Sequence, residues 1–234
     1  MSIHNNLLKA RFDLNINRIS ALVKLIHSDF DSLKPPGLFQ QSDGVRADIL
    51  RAIVVFLHAT FEDALRTYIP KANKSLSFYS RTDIDKALKL SGIDAMPFRS
   101  LYPTLTQMAK RRKRIVHDAD LSNRTDVVSE PWGIADDWQL TMWLMAVPAF
   151  YYQLRISVEA ANEVEVTMYE KFMKAMQSHV DFGHHLLSFP KVPPELRMEA
   201  LQKTAFILET ITNIFKPDVS NSTLDGQLIV DKEK

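Results

Sequence analysis

The residues of this chain that could perform chemistry lie together between Lys110 and Asp120, where the sequence reads KRRKRIVHDAD. Five consecutive basic residues run into the apolar pair Ile115–Val116, and His117 follows at once. An arginine side chain keeps its charge in a protein, whereas a histidine can accept or release a proton near neutral pH. A fixed cation beside a proton-transfer group suits reactions of phosphodiesters, in which negative charge accumulates in the transition state. No other stretch of the sequence suggests a reaction.

Composition and charge restrict the classes of protein to consider. Hydrophobic residues make up 46% of the 234 residues and charged residues 24%, which are ordinary values for a globular chain. Only 6 glycines are present, and such rare turn signals favour long helices over a sheet with many hairpins. The net charge of +1 provides no overall attraction to nucleic acid, so any such attraction must come from local clusters. The absence of cysteine excludes disulfides, thiolate zinc sites and cysteine nucleophiles.

The apolar residues that must position the basic stretch recur at steps of three and four, as in amphipathic helices. No stretch alternates convincingly as a β-strand would. The sequence therefore predicts an all-α fold, an antiparallel helical bundle with two additional C-terminal helices. We expect the bundle over residues 1–162, the helical extension over 163–216 and a polar tail over 217–234.

Several local features predict how individual helices are placed. The segment from Val45 to Pro70 is apolar on nearly all sides between residues 49 and 61, which predicts a central helix covered by its neighbours. A short helix over 83–90 is predicted to be capped by Thr82 or Asp83, and a long helix after residue 135 by Asp136–Asp137. Loops are predicted at 32–37 and 123–133.

Neither a membrane span nor a bound metal or cofactor is expected. The apolar runs at 49–61 and 138–152 are shorter than the ~20 residues that a span needs, and the N-terminus lacks the apolar core of a signal peptide. We therefore expect a cytoplasmic protein. The chain contains no HExxH motif and no glycine-rich phosphate loop, so the sequence predicts neither a metal site nor a cofactor.

The spacing of Arg112 and His117 sets a geometric condition. Residues five positions apart point about 140° away from each other on an ideal helix. The two side chains can meet at one phosphate only if the helix ends before His117 or if a second copy of the chain supplies one of them. A run of basic residues is also what the negative end of a helix dipole favours, without any further role.

An all-α chain with Arg-x-x-x-x-His late in a bundle helix resembles the HEPN superfamily, in particular its bacterial RiboL-PSP-HEPN and MAE-type groups. Residues 111–117, RRKRIVH, fit the shape of the family motif, including the apolar pair before the histidine. Residues 56–63, FLHATFED, resemble the buried helix of the family that ends in an acidic residue. The resemblance covers roughly residues 1–162.

The resemblance implies a metal-independent endoribonuclease that acts as a homodimer, as a toxin or a phage-defence component. His117 would act on the ribose 2′-hydroxyl as general base, and Arg112 would stabilise the charge of the transition state. Glu62 would support His117 or Arg112. RNA and an antitoxin protein are the implied partners, and the products would carry 2′,3′-cyclic phosphates. The residues expected to hold the RNA backbone are Lys110, Arg111, Lys113 and Arg114.

Two other interpretations stay open. The family usually has a small polar residue directly after the arginine, and this chain has Lys113. A non-catalytic helical module that binds RNA, a nucleotide or a protein partner is the first alternative. The second is a structural helical dimer whose basic cluster is only a solvated helix end.

Overall fold

The described part of the chain forms seven α-helices, in agreement with the predicted all-α class. The computed structural model describes residues 3–28, 42–69, 78, 80–118, 132–158, 161–188 and 193–215. The predicted loop at 32–37, residues 123–131 of the predicted loop at 123–133, Asp120 and the tail from residue 217 lie outside these ranges. Within them the chain contains no β-strand. The helices are α1 (Ile3–Ser28), α2 (Ser42–Tyr68), α3 (Arg81–Leu90), α4 (Tyr102–Asp118), α5 (Ile134–Ser157), α6 (Glu163–Leu187) and α7 (Pro194–Ile214).

The centre of the bundle is α5. Every residue from 140 to 155 is buried, and α5 packs against α1, α2, α4, α6 and α7. The sequence predicted α2 as the covered central helix, and this prediction is wrong. Ile49 and Phe56 of α2 are 36% and 39% exposed, because none of the described helices covers that side of α2. An apolar composition on all sides therefore did not distinguish the enclosed helix from one with an uncovered face.

The two C-terminal helices share the hydrophobic core of the others. Phe172 and Met176 of α6 and Leu208 and Ile211 of α7 belong to the same cluster of buried side chains as α1, α2 and α5. Helix α7 lies against α1 and α5, and α6 lies against α5. The division of the chain at residue 162 stays a prediction about domain organisation.

Helix starts differ from the predicted ones at two places. Helix α3 is capped by Ser80, whose Oγ accepts a hydrogen bond from the backbone N–H of Asp83 at 3.2 Å, and not by Thr82 or Asp83. Helix α5 begins after Gly133, whose N–H donates to the Asp136 carboxylate at 2.8 Å. Asp136 thus lies inside the first turn of α5, and its carboxylate binds the backbone N–H of the residue before the helix. A 3₁₀-helix over Met96–Leu101, which the sequence did not predict, leads into α4.

None of the helices in the described ranges combines the length and the apolarity needed to cross a bilayer.

Candidate functional site

Helix α4 carries the basic stretch as one uninterrupted helix from Tyr102 to Asp118. Pro103 occupies its first turn, where a missing N–H leaves no hydrogen bond unmade. Leu105, Met108 and Ala109 are fully buried and fix the helix against the core. The last two turns then carry the basic residues and His117 beyond this anchor.

The structure places Arg112 and His117 on different sides of α4. His117 is exposed, whereas Arg112 is half-buried on the side that faces α2. Because α4 continues through His117, the separation of about 140° expected for a regular helix applies. The helix does not end before His117, so this first way of bringing Arg112 and His117 to one phosphate is excluded. The two side chains can then meet at one phosphate only if a second copy of the chain supplies one of them.

Arg112 acts electrostatically on two residues of α2, Glu62 and His58. Burial raises the pKa of the half-buried Glu62, and the positive charges of Arg66 and Arg112 counteract that rise. Burial also lowers the pKa of His58 to about 4, and Arg112 lowers it in the same direction. His58 is only 1% exposed, and because its pKa is about 4 its ring is neutral at physiological pH. Glu62 and Arg112, two residues predicted from the sequence, thus belong to one local cluster between α2 and α4.

Arg111 connects α4 to the start of α5. Its guanidinium lies 3.4 Å from the Asp136 carboxylate and 5.5 Å from the ring centroid of Trp132, and only 11% of its side chain is exposed. Its charge therefore already has a carboxylate and an aromatic partner within the fold.

Asp137, the next residue, forms a buried polar network beside this contact. Trp132 Nε1 donates to its carboxylate at 2.8 Å, and His27 Nε2 and Arg46 Nη2 lie at 3.2 Å and 3.1 Å. Burial alone would raise the pKa of Asp137, but the hydrogen bonds and positive partners lower it. This network joins α1, α2 and α5 near the end of α4.

The remaining basic residues differ in exposure. Lys110 and Lys113 are exposed, and Arg114 is half-buried. On an ideal helix Lys110, Arg114 and His117 project within about 60° of each other, because they are four and seven residues apart. They form a row along the outer side of α4, away from Arg112.

No group of three or more His, Asp or Glu side chains in the described ranges is arranged to hold a metal ion. A search of known protein families, of curated proteins and of solved structures finds no match to this chain.

Two features of the site were not predicted from the sequence. The spacing of His58 and Glu62 predicts that they share a helix face, but nothing in the sequence indicates the electrostatic interaction between His58 and Arg112. Arg81, Arg99 and His184 were not predicted as site residues, although they line a groove that reaches Lys110. They lie on three separate elements, so no local spacing could have pointed to them.

Proposed function

We propose that this protein is a metal-independent endoribonuclease that acts as a homodimer, with Arg112 and His117 in a composite site. The observation that carries the proposal is the pair of environments on the last two turns of α4. Arg112 is half-buried and interacts electrostatically with Glu62, and His117 is exposed to solvent about one and a half turns later. A cation can stabilise the anionic transition state and an accessible imidazole can transfer the proton, so together the two groups can support cleavage of RNA without a metal.

The reaction assigns one role to each group. His117 takes the proton of the ribose 2′-hydroxyl while the 2′-oxygen attacks the adjacent phosphorus. The bond from phosphorus to the 5′-oxygen breaks, and this oxygen takes up a proton from a protonated imidazole or from water. Arg112 stabilises the negative charge on the non-bridging oxygens as phosphorus becomes five-coordinate. The products are a 2′,3′-cyclic phosphate and a 5′-hydroxyl, and no metal enters any step.

Glu62 is proposed as the residue that positions Arg112. The two side chains interact electrostatically, and the half-buried setting of Glu62 strengthens that attraction relative to bulk water. Lys110, Lys113 and Arg114 are proposed to bind the RNA backbone. Arg111 is proposed to hold α4 in place, because Asp136 and Trp132 already engage its guanidinium.

A second copy is proposed because Arg112 and His117 of one chain point apart. The uncovered side of α2 supports self-association through a second observation. Val45, Ile49 and Phe56 follow one another along one side at steps of four and seven residues, and they are between 36% and 39% exposed. Such a row of apolar side chains is the seam by which two helices pack. Phe56→Glu is expected to shift a dimer to a monomer in analytical ultracentrifugation and to reduce cleavage with it.

The experiment that tests the activity is incubation of the protein with labelled single-stranded RNA in EDTA. Wild type is expected to cleave and to leave 2′,3′-cyclic phosphate ends, whereas Arg112→Ala and His117→Ala are expected to lose at least about 100-fold in rate. Arg18→Ala and His185→Ala change exposed residues of the same types outside the site and serve as controls. Cleavage of an all-deoxy strand, or cleavage that survives His117→Ala, contradicts the mechanism, because DNA has no 2′-hydroxyl.

A mixing experiment tests the composite site itself. Equal amounts of Arg112→Ala and His117→Ala chains are unfolded together and refolded. If each site takes its arginine from one chain and its histidine from the other, half of the dimers are mixed and each has one intact site. We then expect about a quarter of the wild-type activity, since symmetric dimers have two equivalent sites. No recovery of activity would contradict a site shared between two chains.

A non-catalytic RNA-binding module is the second candidate, and Lys113 favours it. This exposed lysine directly follows Arg112, where the resembling family usually has a small polar residue. RNA that binds but is never cleaved, with or without added metal, would decide for this candidate.

If the chain is a toxin, as the resemblance implies, its expression should arrest growth in wild-type form and not as His117→Ala.

A further inference from the structure

A groove of about 690 Å³ opens beside the first half of α4. It is bordered by α3, by the segment leading into α4 and by the ends of α5 and α6 that face them. The buried side chains of Trp138 and Met142 form its base. Gly183 allows this arrangement, because a Cβ atom there would lie 2.4 Å from Trp138 Nε1.

The side chains that line the groove are cationic or neutral. Arg81, Arg99, Lys110 and His184 belong to its lining, and none of the described residues that line it is acidic. Asp85 lies just outside, where it accepts a hydrogen bond from the hydroxyl of Tyr102 and approaches Arg81 Nε at 3.6 Å.

The permanent charges leave the groove positive. Arg81, Arg99 and Lys110 contribute three positive charges, and Asp85 offsets one of them. Arg99 and Lys110 form no ion pair with any residue in the described part of the chain. A concave site with a net excess of two positive charges concentrates its field and attracts anions. This charge favours a ligand that carries negative charge.

Lys110 connects the groove with the proposed active site. It belongs to the lining of the groove and also begins the row along the outer side of α4 that continues through Arg114 to His117. The seven residue steps from Lys110 to His117 span about 10 Å along the helix axis. One extended polyanion can therefore contact the groove and reach His117. The groove also offers amide and hydroxyl groups from Gln107 and Thr106, which can hydrogen-bond to sugars and bases.

We propose that this groove binds the phosphate backbone of single-stranded RNA, on one side of the phosphate that lies at His117. The inference rests on the proposed function, because that function requires RNA to lie along the row on α4. The same RNA strand would continue from this row into the groove. A free acidic peptide fits the charge but not the continuity with His117. Since the groove lies at only one end of the row, it contacts the strand on only one side of that phosphate.

The test measures binding without cleavage. A labelled 2′-O-methyl RNA of twelve nucleotides has the backbone of RNA but cannot be cleaved through its 2′-oxygen. Its affinity is followed by fluorescence anisotropy over a series of salt concentrations. The groove variant is Arg81→Gln/Arg99→Gln, and the control is Lys171→Gln/Lys174→Gln. Both variants lose two positive charges, and the control lysines are exposed on α6 outside the groove.

We expect the groove variant to bind the RNA at least about tenfold more weakly. The plot of log K against log salt should also become less steep by about 1.4, which is about 0.7 for each of the two phosphates that the protein no longer neutralises. The control should change affinity less than about twofold. Arg99→Glu, a single change at an exposed residue, should weaken binding further than Arg99→Gln and covers the case in which the double variant folds poorly.

The outcomes separate this inference from the proposed function. Equal affinities of the groove variant and the control would overturn the groove assignment, even if wild type cleaves ordinary RNA. Loss of binding in the groove variant would support it, even if ordinary RNA is never cleaved and the nuclease proposal fails. Equal competition by poly-glutamate of the same length would also overturn it, because the groove would then be a site for acidic peptides.

Discussion

The buried ion pair between Arg155 and Glu165 supports the sharpest prediction about the fold. Arg155 Nη2 donates to Glu165 Oε2 at 3.0 Å, and the two side chains are 0% and 3% exposed. Arg155 Nη1 also donates to the hydroxyl of Tyr68 at 2.7 Å. The same Glu165 oxygen accepts from the backbone N–H of Asn162 at 3.1 Å and so caps α6. One guanidinium therefore joins α2, α5 and α6.

Arg155→Met is expected to lower the free energy of unfolding by about 3–5 kcal/mol, because it leaves the Glu165 carboxylate buried without its cation. Methionine keeps much of the arginine volume, so the loss reports the charge rather than a cavity. Glu165→Gln should cost a similar amount for the converse reason. The double variant removes both charges, and its cost should be about 2–3 kcal/mol smaller than the sum of the single costs.

The assay is equilibrium unfolding in urea followed by circular dichroism and by tryptophan fluorescence, with the two signals required to coincide. Arg11→Met is the matched control. Its partner Asp63 is also a carboxylate on another helix, but the two side chains are 52% and 49% exposed, so the change should cost less than about 1 kcal/mol. A loss for Arg155→Met no larger than for Arg11→Met, or additive costs in the double variant, would refute the reasoning.

Two further predictions concern residues near the sites. Gly183→Ala should destabilise the fold by about 1–3 kcal/mol, because its Cβ would lie 2.4 Å from Trp138 Nε1 and the indole must move; an unchanged melting temperature and emission spectrum would contradict this. His58 makes stability depend on pH. Its pKa is lowered to about 4 by burial, so between pH 6.5 and 4 the unfolded chain binds a proton that the folded chain does not, and stability falls as the pH falls. The loss from this group between pH 7 and pH 5 is about 2 kcal/mol, and His58→Leu should be less sensitive to pH by that amount in urea unfolding. Comparison at equal pH cancels the carboxyl groups, and equal pH dependence of the two proteins would contradict the prediction.

The helical class could be read from the sequence because it depends on contacts between residues three and four positions apart. Apolar residues at these steps, few glycines and prolines at the helix borders all act locally. The two errors in helix starts were also local and concerned competing caps. Ser80 was available two or three residues earlier than expected, and Asp136 could satisfy the N–H of Gly133 from inside the first turn. Which of several nearby polar groups forms the cap depends on small differences in loop geometry.

The candidate site was only partly accessible to sequence reasoning. The spacing of Arg112 and His117 predicts their divergence in any regular helix, but only the structure establishes that α4 is regular as far as His117. The electrostatic interaction of Arg112 with Glu62 and His58 follows from the packing of α4 on α2, which the spacing within either helix does not determine.

By itself, the sequence determined the residue types, the helices and the order in which basic residues lead to His117. The tertiary structure decided which helix is enclosed, which apolar row on α2 remains uncovered, and which distant residues meet. Arg155 with Glu165 and Tyr68, and Arg81 and Arg99 with Lys110, are brought together from different helices. The physical reason is that periodicity records how a residue faces within its own helix. The partner across the interface is chosen by how all the helices pack together.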